Sequence, residues 1–74
     1  MNLKPKACAE AVGRLAVRQR EVLRRLAEGQ PRKVIAVELN IAESTVNAHC
    51  EAIYARLGVS SVAQAVVIAV KGGL

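Results

Sequence analysis

Residues 32–57, with the sequence RKVIAVELNIAESTVNAHCEAIYARL, decide the fold of this chain. Apolar residues recur at helical spacing on both sides of a break at Asn40 and Ile41. This pattern predicts a helix over about residues 32–39 and a longer one over about 43–57. The apolar stripe of the longer helix recurs at i, i+4, i+7 and i+11, and consists of Val46, Cys50, Ile53 and Leu57. Two helices joined by a turn of about four residues form a helix-turn-helix.

The opposite side of the longer helix carries only short or small side chains apart from one glutamate. Its residues are Ser44, Asn47, Ala48, Glu51 and Ala55. A helix with such a slim outer side can enter the major groove of duplex DNA, which is about 12 Å wide.

Helices are also predicted on both sides of this pair. The first begins near Leu15 and ends at Gly29, a residue type that commonly terminates helices. Its apolar positions at one-turn spacing are Val22, Leu23 and Leu26. Ser61 and Gln64 fit a capping box, which opens a last helix ending near Lys71. The predicted fold is therefore all-α, with four helices in residues 15–74.

Residues 1–14 are predicted to be an N-terminal tail or linker, with at most a partial helix over residues 7–12 before Gly13. Cys8 lies in this tail and Cys50 in the third predicted helix. Their wide separation forms no metal-binding spacing, and it indicates reduced thiols in a cytoplasmic protein.

The composition favours a DNA-binding domain over an enzyme. The 74 residues suffice for one small domain, and their net charge of +5 favours a polyanionic partner. Proteins that bind RNA or single-stranded DNA stack the bases on several aromatic side chains, and this chain has only one aromatic residue, Tyr54, which argues against that class. With one His, no Asp and no Gly-rich loop, we expect no catalytic residue, cofactor, metal site or small-molecule ligand.

No apolar run approaches the roughly 18 residues of a membrane span, and the N-terminus lacks the apolar region of a secretory signal. These features predict a cytoplasmic protein without a membrane partner.

Seven stretches follow the order of a known domain family without gaps. They are REVL (20–23), LAEG (26–29), KVIA (33–36), LNI (39–41), ESTVNAH (43–49), LGVSS (57–61) and AQAV (63–66). With them, residues 15–70 resemble the LuxR/FixJ/NarL-type (GerE-type) helix-turn-helix domain.

The resemblance implies a transcription regulator that binds duplex DNA sequence-specifically as a homodimer, at inverted half-sites. The second and third predicted helices would form the helix-turn-helix, and the fourth would supply the dimer contact. In most members this domain follows a ligand-binding domain or the receiver domain of a two-component response regulator. The expectation here is either a stand-alone regulator or an excised output domain, with RNA polymerase as a further expected partner.

The family's base-facing positions correspond to Asn47, Ala48 and Glu51. Asparagine can pair with adenine, alanine can contact the thymine methyl group, and glutamate can accept a hydrogen bond from cytosine. The alternative is that these are solvated helix residues.

The resemblance and the local chemistry together predict phosphate contacts. The predicted residues are Arg32, Lys33, Ser44, Thr45, His49 and Arg56. The free N–H groups and dipole at a helix N-terminus favour an anion near Ser44 and Thr45. The alternatives are that Thr45 bonds its own backbone and that the cations form a solvated face.

The fourth predicted helix is apolar on more than one face. Its predicted dimer-interface residues are Val62, Val66, Val67 and Val70. Apolar surface beyond what the core needs suggests a partner. The alternative is that residues 7–12 fold over this surface.

Three departures from the family pattern concern helix ends and charge. Ala16, Val17 and Gln19 replace the family's Thr-Pro-x-Glu, so both capping partners of the first predicted helix are expected to be lost. At the start of the third predicted helix, Ala42 replaces a capping Ser or Thr. This helix, which would be the recognition helix, carries Asn47 and Glu51 where Lys or Arg is usual in the family.

Two other functions remain open at this point. A sigma-factor region-4-like module shares the R-x-REVL opening, but such modules tend to continue with a basic helix, whereas here Gly58 is followed by a capped apolar one. A protein-interaction module that has lost DNA binding would be compatible with Glu51 and the missing caps.

Overall fold

The backbone forms five helices, which a computed structural model describes over residues 3–74. They are α1 (Pro5–Gly13), α2 (Val17–Ala27), α3 (Arg32–Leu39), α4 (Glu43–Leu57) and α5 (Val62–Lys71). Residues 3–74 contain no strand, and the predicted all-α class is confirmed. The predicted bounds of the second and third helices agree with those of α3 and α4.

The core surrounds α4, against which α2, α3 and α5 all pack. The predicted stripe is buried: Val46, Cys50 and Ile53 have no exposed surface and Leu57 has little. The other helices contribute Val22, Leu23, Ile35, Ala65, Ile68 and Ala69. This packing determines which side of α4 faces solvent.

The N-terminal segment is a packed helix, so its interpretation as a tail or linker is wrong for residues 5–13. Cys8 is 1% exposed and Val12 is 5% exposed. They lie one turn apart on the same face of α1, which packs mainly against α5. Ala7–Val12 therefore covers part of the fourth predicted helix, as the alternative to dimerisation proposed. Residues 1 and 2 of the predicted tail lie outside the described residues.

The two helices come very close near the end of α5. A Cβ atom added at Gly72 would lie 3.0 Å from both the carbonyl carbon and the carbonyl oxygen of Cys8. A side chain at position 72 would therefore require α1 to shift.

The helix ends use fewer side-chain caps than the family pattern has. The Gln19 Oε1 atom accepts the Ala16 N–H at 3.1 Å, so the expectation that both capping partners of α2 are lost is wrong for Gln19. At α5 the predicted cap is confirmed, because Ser61 Oγ accepts the Gln64 N–H at 3.3 Å. The Gln64 side chain, however, accepts from the Ser60 N–H at 2.9 Å.

The α3–α4 turn depends on a left-handed residue. Asn40 has a φ of 55°, a region in which asparagine is better tolerated than most residues. No side chain caps the start of α4, whose N-cap position is Ala42.

Ala42→Ser is expected to raise the free energy of unfolding by about 1 kcal/mol, because serine is a good N-cap and alanine a poor one. The backbone of Ala42 is already extended, with φ −70° and ψ 149°, as an N-cap requires. Urea denaturation followed by circular dichroism measures the change. Ala55→Ser is the matched control, since it makes the same replacement at an exposed position inside α4. Equal effects of the two substitutions would contradict a capping role.

None of the described helices is by itself long and apolar enough to cross a membrane. Only α4 and α5 taken together reach that length and composition, and they bend by 63° at the break between them.

Candidate DNA-binding surface

The outer side of α4, comprising Ser44, Asn47, Ala48, Glu51 and Ala55, faces solvent along its whole length. All five residues are exposed. The burial of the apolar stripe on the other side fixes this orientation. The structure therefore brings the three predicted base-contacting residues together on one accessible surface.

The N-terminus of α4 opens onto the same surface. The N–H groups of Thr45 and Val46 both bond the Ala42 carbonyl, at 3.0 and 3.2 Å. Since no side chain caps this end, the N–H groups that precede Thr45 have no partner within the helix. Backbone donors and the helix dipole make this end suited to an anion such as a phosphate.

Arg32 links the start of α3 to the outer side of α4. Its Nη1 atom donates to Asn47 Oδ1 at 2.9 Å, and its Nη2 atom donates to Tyr54 Oη at 2.9 Å. A guanidinium has five N–H donors, so further ones remain for a phosphate.

Tyr54 was not predicted to belong to this site, to which it contributes from beneath the surface as a largely buried acceptor for Arg32. The signal that could have identified it is its spacing, because position 54 lies two turns after Asn47 on one side of the helix. The contact with Arg32 could not have been found, since the two residues belong to different helices.

Burial raises the pKa values of two groups near Arg32, the Cys50 thiol and the Tyr54 hydroxyl. Burial raises the pKa of the Cys50 thiol, although the charge of Arg32 and a hydrogen bond with Tyr54 act in the opposite direction. Burial also raises the pKa of the Tyr54 hydroxyl. Both groups therefore stay neutral at physiological pH, and the oxygen that accepts from Arg32 is that of a neutral hydroxyl.

The free energy of unfolding is expected to fall as the pH rises through about 9. Below the ordinary pKa of cysteine, 9.0, both the folded and the unfolded chain hold the Cys50 proton. Above it the unfolded chain releases the proton first, because the folded pKa is raised, and this favours unfolding. Urea melts between about pH 7 and pH 10 measure the effect. Cys50→Ala should lower the free energy of unfolding at every pH, but this free energy should then fall less steeply above about pH 9. Parallel plots of the free energy of unfolding against pH for the two proteins would contradict the role of Cys50.

The other side chains predicted to contact phosphates, Lys33, Arg56 and His49, differ in their exposure and in their partners within the domain. Lys33 is exposed, and no ion pair involving it occurs within residues 3–74. Arg56 is exposed and donates to the Arg14 carbonyl at 3.2 Å. His49 is half-buried on the flank of α4.

Most arginines of α2 already have partners in the domain. Arg18 pairs with Glu21 at 3.1 Å, and Arg25 pairs with Glu38 of α3. Arg20 donates to the Gly13 and Leu15 carbonyls. These contacts favour a structural role for three of the four arginines.

The predicted dimer-interface residues divide between exposed and partly covered positions. Val62, Val67 and Val70 are exposed, Val70 by 66%, whereas Val66 is half-buried. An apolar strip of α5 therefore remains accessible beside the part that α1 covers.

The arrangement of α3, the turn at Asn40 and the exposed α4 defines a helix-turn-helix domain. The model of the family "Bacterial regulatory proteins, luxR family" matches residues 14–69. The chain belongs to this LuxR family, and the predicted resemblance is confirmed. The match also favours this assignment over the sigma-factor alternative.

Several curated proteins are similar to this chain. A probable transcriptional regulatory protein NarL of Mycobacterium tuberculosis H37Rv is 49% identical over 57 residues, covering 77% of this chain and 26% of NarL. A putative HTH-type transcriptional regulator YhjB of Escherichia coli K12 is 49% identical over 51 residues, 69% of this chain and 26% of YhjB.

A probable HTH-type transcriptional regulator GfsR of Streptomyces halstedii is 45% identical over 51 residues, 69% of this chain and 21% of GfsR. The chain thus spans about a quarter of the length of these relatives or less. No solved structure matches it significantly.

Proposed function

We propose that this domain binds duplex DNA sequence-specifically and regulates transcription, with α4 lying in the major groove. The observation that carries the proposal is the solvent-exposed outer side of α4 beside an uncapped helix N-terminus. The net charge of +5 supports a polyanionic partner. The relatives' names, which describe transcriptional regulators, support the same function. A cytoplasmic location, where bacterial DNA lies, belongs to this proposal.

Base contacts are assigned to Asn47, Ala48 and Glu51, the exposed residues at the centre of the outer side. Their chemistry suits adenine or another acceptor-bearing base, a thymine methyl group and a cytosine amine respectively. Glu51 also disfavours wrong sites, because its carboxylate is repelled by phosphates unless a cytosine amine donates a hydrogen bond to it.

Phosphate contacts are assigned to Arg32 and Lys33 at the start of α3, to Ser44 and Thr45 at the start of α4, and to His49 and Arg56 further along α4. Such contacts fix the orientation of the domain on the duplex without reading sequence.

Homodimerisation through α5 is part of the proposal. The accessible strip of Val62, Val67 and Val70 supports it, with Val66 at its edge. Two copies would place two α4 helices on inverted half-sites. A response-regulator context and a contact with RNA polymerase are further proposals that rest on the relatives.

Fluorescence anisotropy with a labelled random-sequence duplex at low salt tests the function. A DNA-binding domain should bind with a Kd of roughly 10⁻⁴–10⁻⁶ M that weakens as salt rises. Site selection from a random library would then give the motif and the half-site spacing, and ultracentrifugation with the selected duplex would give the stoichiometry. Absence of binding to every duplex at low salt would favour a protein-interaction module instead.

Lys33→Ala is expected to weaken binding to all duplexes alike and to reduce the slope of log Kd against log salt by about 1. The physical reason is that an exposed lysine at a phosphate releases about one counterion on binding. Lys71→Ala is the matched control, because Lys71 is also exposed but lies at the end of α5. Identical slopes for Lys33→Ala and the unmodified domain would place Lys33 among the solvated surface charges.

A further inference from the structure

We propose that Arg32 is a positioning residue that fixes the side-chain amide of Asn47, so that Asn47 selects guanine rather than adenine. The inference rests on the proposed DNA-binding function and adds the specificity of one residue to it.

The contact with Arg32 determines which end of the Asn47 amide is available to DNA. An arginine side chain has donors only, so the atom that faces Arg32 Nη1 at 2.9 Å has to be the amide oxygen. The amide nitrogen then lies on the other branch of an exposed side chain. It has no hydrogen-bond partner among the described residues. Asn47 therefore offers a donor to the groove while a cation holds its acceptor.

Tyr54 keeps Arg32 in this position. The Tyr54 side chain is 9% exposed, and it accepts from Nη2 while Asn47 accepts from Nη1 of the same planar guanidinium. A rigid fork can serve two acceptors in fixed directions, which a lysine ammonium on its flexible stem cannot do. Hydrogen bonds from a charged donor are also stronger than neutral ones.

The base preference follows from the groups exposed in the major groove. Pairing with adenine needs the amide oxygen to accept from N6 while the amide nitrogen donates to N7. Guanine presents two acceptors, O6 and N7, and no donor on that edge. An amide whose oxygen is bonded to Arg32, beside a positive charge, matches the acceptor pair of guanine better than the mixed edge of adenine.

The first test concerns the free protein and needs no DNA. In ¹⁵N NMR spectra the Asn47 side-chain amide should show the high heteronuclear NOE of an ordered group. Arg32→Lys and Tyr54→Phe should lower that value towards those of mobile surface amides, and Arg18→Lys, which changes an arginine paired elsewhere, should not. A mobile Asn47 amide in the unmodified domain would overturn the proposal.

The second test is site selection with the same variants. The unmodified domain should select guanine opposite Asn47. Arg32→Lys keeps the charge but frees the amide, so preference at that position should shift about tenfold towards adenine, with the other positions and the salt slope unchanged. Arg18→Lys should select the original motif.

The positioning role of Arg32 and the proposed DNA-binding function would be overturned by different results. Two results would overturn the positioning role alone. One is that Arg32→Lys and the unmodified domain select the same motif, and the other is that the unmodified domain selects adenine at this position. If the unmodified domain bound no duplex, the proposed function itself would fail.

Discussion

Val12→Ser is expected to lower the free energy of unfolding by about 2 kcal/mol, although residue 12 lies before the region that the family model matches. Val12 is 5% exposed in the contact between α1 and α5. Burying a valine side chain contributes about 1.5–3 kcal/mol, most of which serine loses. A small domain has only about 5–15 kcal/mol of stability, so the loss is large. Urea denaturation of the whole chain measures it.

Glu10→Ser is the matched control, because Glu10 lies in the same helix and is exposed. Both variants introduce the same residue into α1, so the difference between them reports mainly the burial of Val12. Gly72→Ala tests the same contact from the other helix. It should also destabilise the domain, because the added methyl group would lie 3.0 Å from the Cys8 backbone. Equal stabilities for Val12→Ser and Glu10→Ser would show that α1 is not docked.

The helices that carry the candidate site could be predicted because their signals are local. The stripe from Val46 to Leu57 alternates with polar residues at helical spacing, and Gly58 ends the helix with a φ of 69°. With the stripe buried, the outer side of α4 faces solvent, and Asn47 at its edge is exposed although Tyr54, two turns further on, is buried. The helices α3 and α4 and the exposed residues of α4 could thus be predicted from periodicity.

The role of α1 could not be predicted from its own residues. Its apolar content is only two buried side chains, Cys8 and Val12, with small alanines around them, and such a short segment gains stability only by packing. The packing brings the Cys8 backbone to 3.0 Å from where a Cβ atom at Gly72 would lie, 64 positions later in the chain. Local spacing contains no information on a contact of that kind.

The link from Arg32 to Asn47 and Tyr54 was hidden for the same reason. Arg32 and Lys33 stand next to each other at the start of α3, and from the sequence both are predicted to contact phosphates. Only the crossing of α3 over α4 brings the guanidinium to the amide and the hydroxyl. The Gln19 cap was hidden in a similar way, because Ala16 stands where a capping box has Ser or Thr, yet the Ala16 N–H still donates to the Gln19 side chain.

Asn47→Ala is expected to weaken binding to the selected operator by about 1–3 kcal/mol, a loss of about 5- to 150-fold in affinity, and to relax the base preference at one position. The alanine side chain has neither donor nor acceptor, so it loses the base contact whichever base Asn47 selects. Asn47 is exposed and alanine favours helices, so the variant should fold normally.

Ser44→Ala provides the comparison on the same helix. It removes a proposed phosphate contact, so it should weaken binding to the operator and to random duplexes by similar factors without changing the selected motif. Anisotropy titrations on both duplexes, followed by site selection, separate the two cases. If Asn47→Ala weakened binding to both duplexes equally and returned the original motif, Asn47 would contact a phosphate. If it weakened neither, Asn47 would be a solvated residue. The base-reading part of α4 would then have to lie at Ala48 and Glu51.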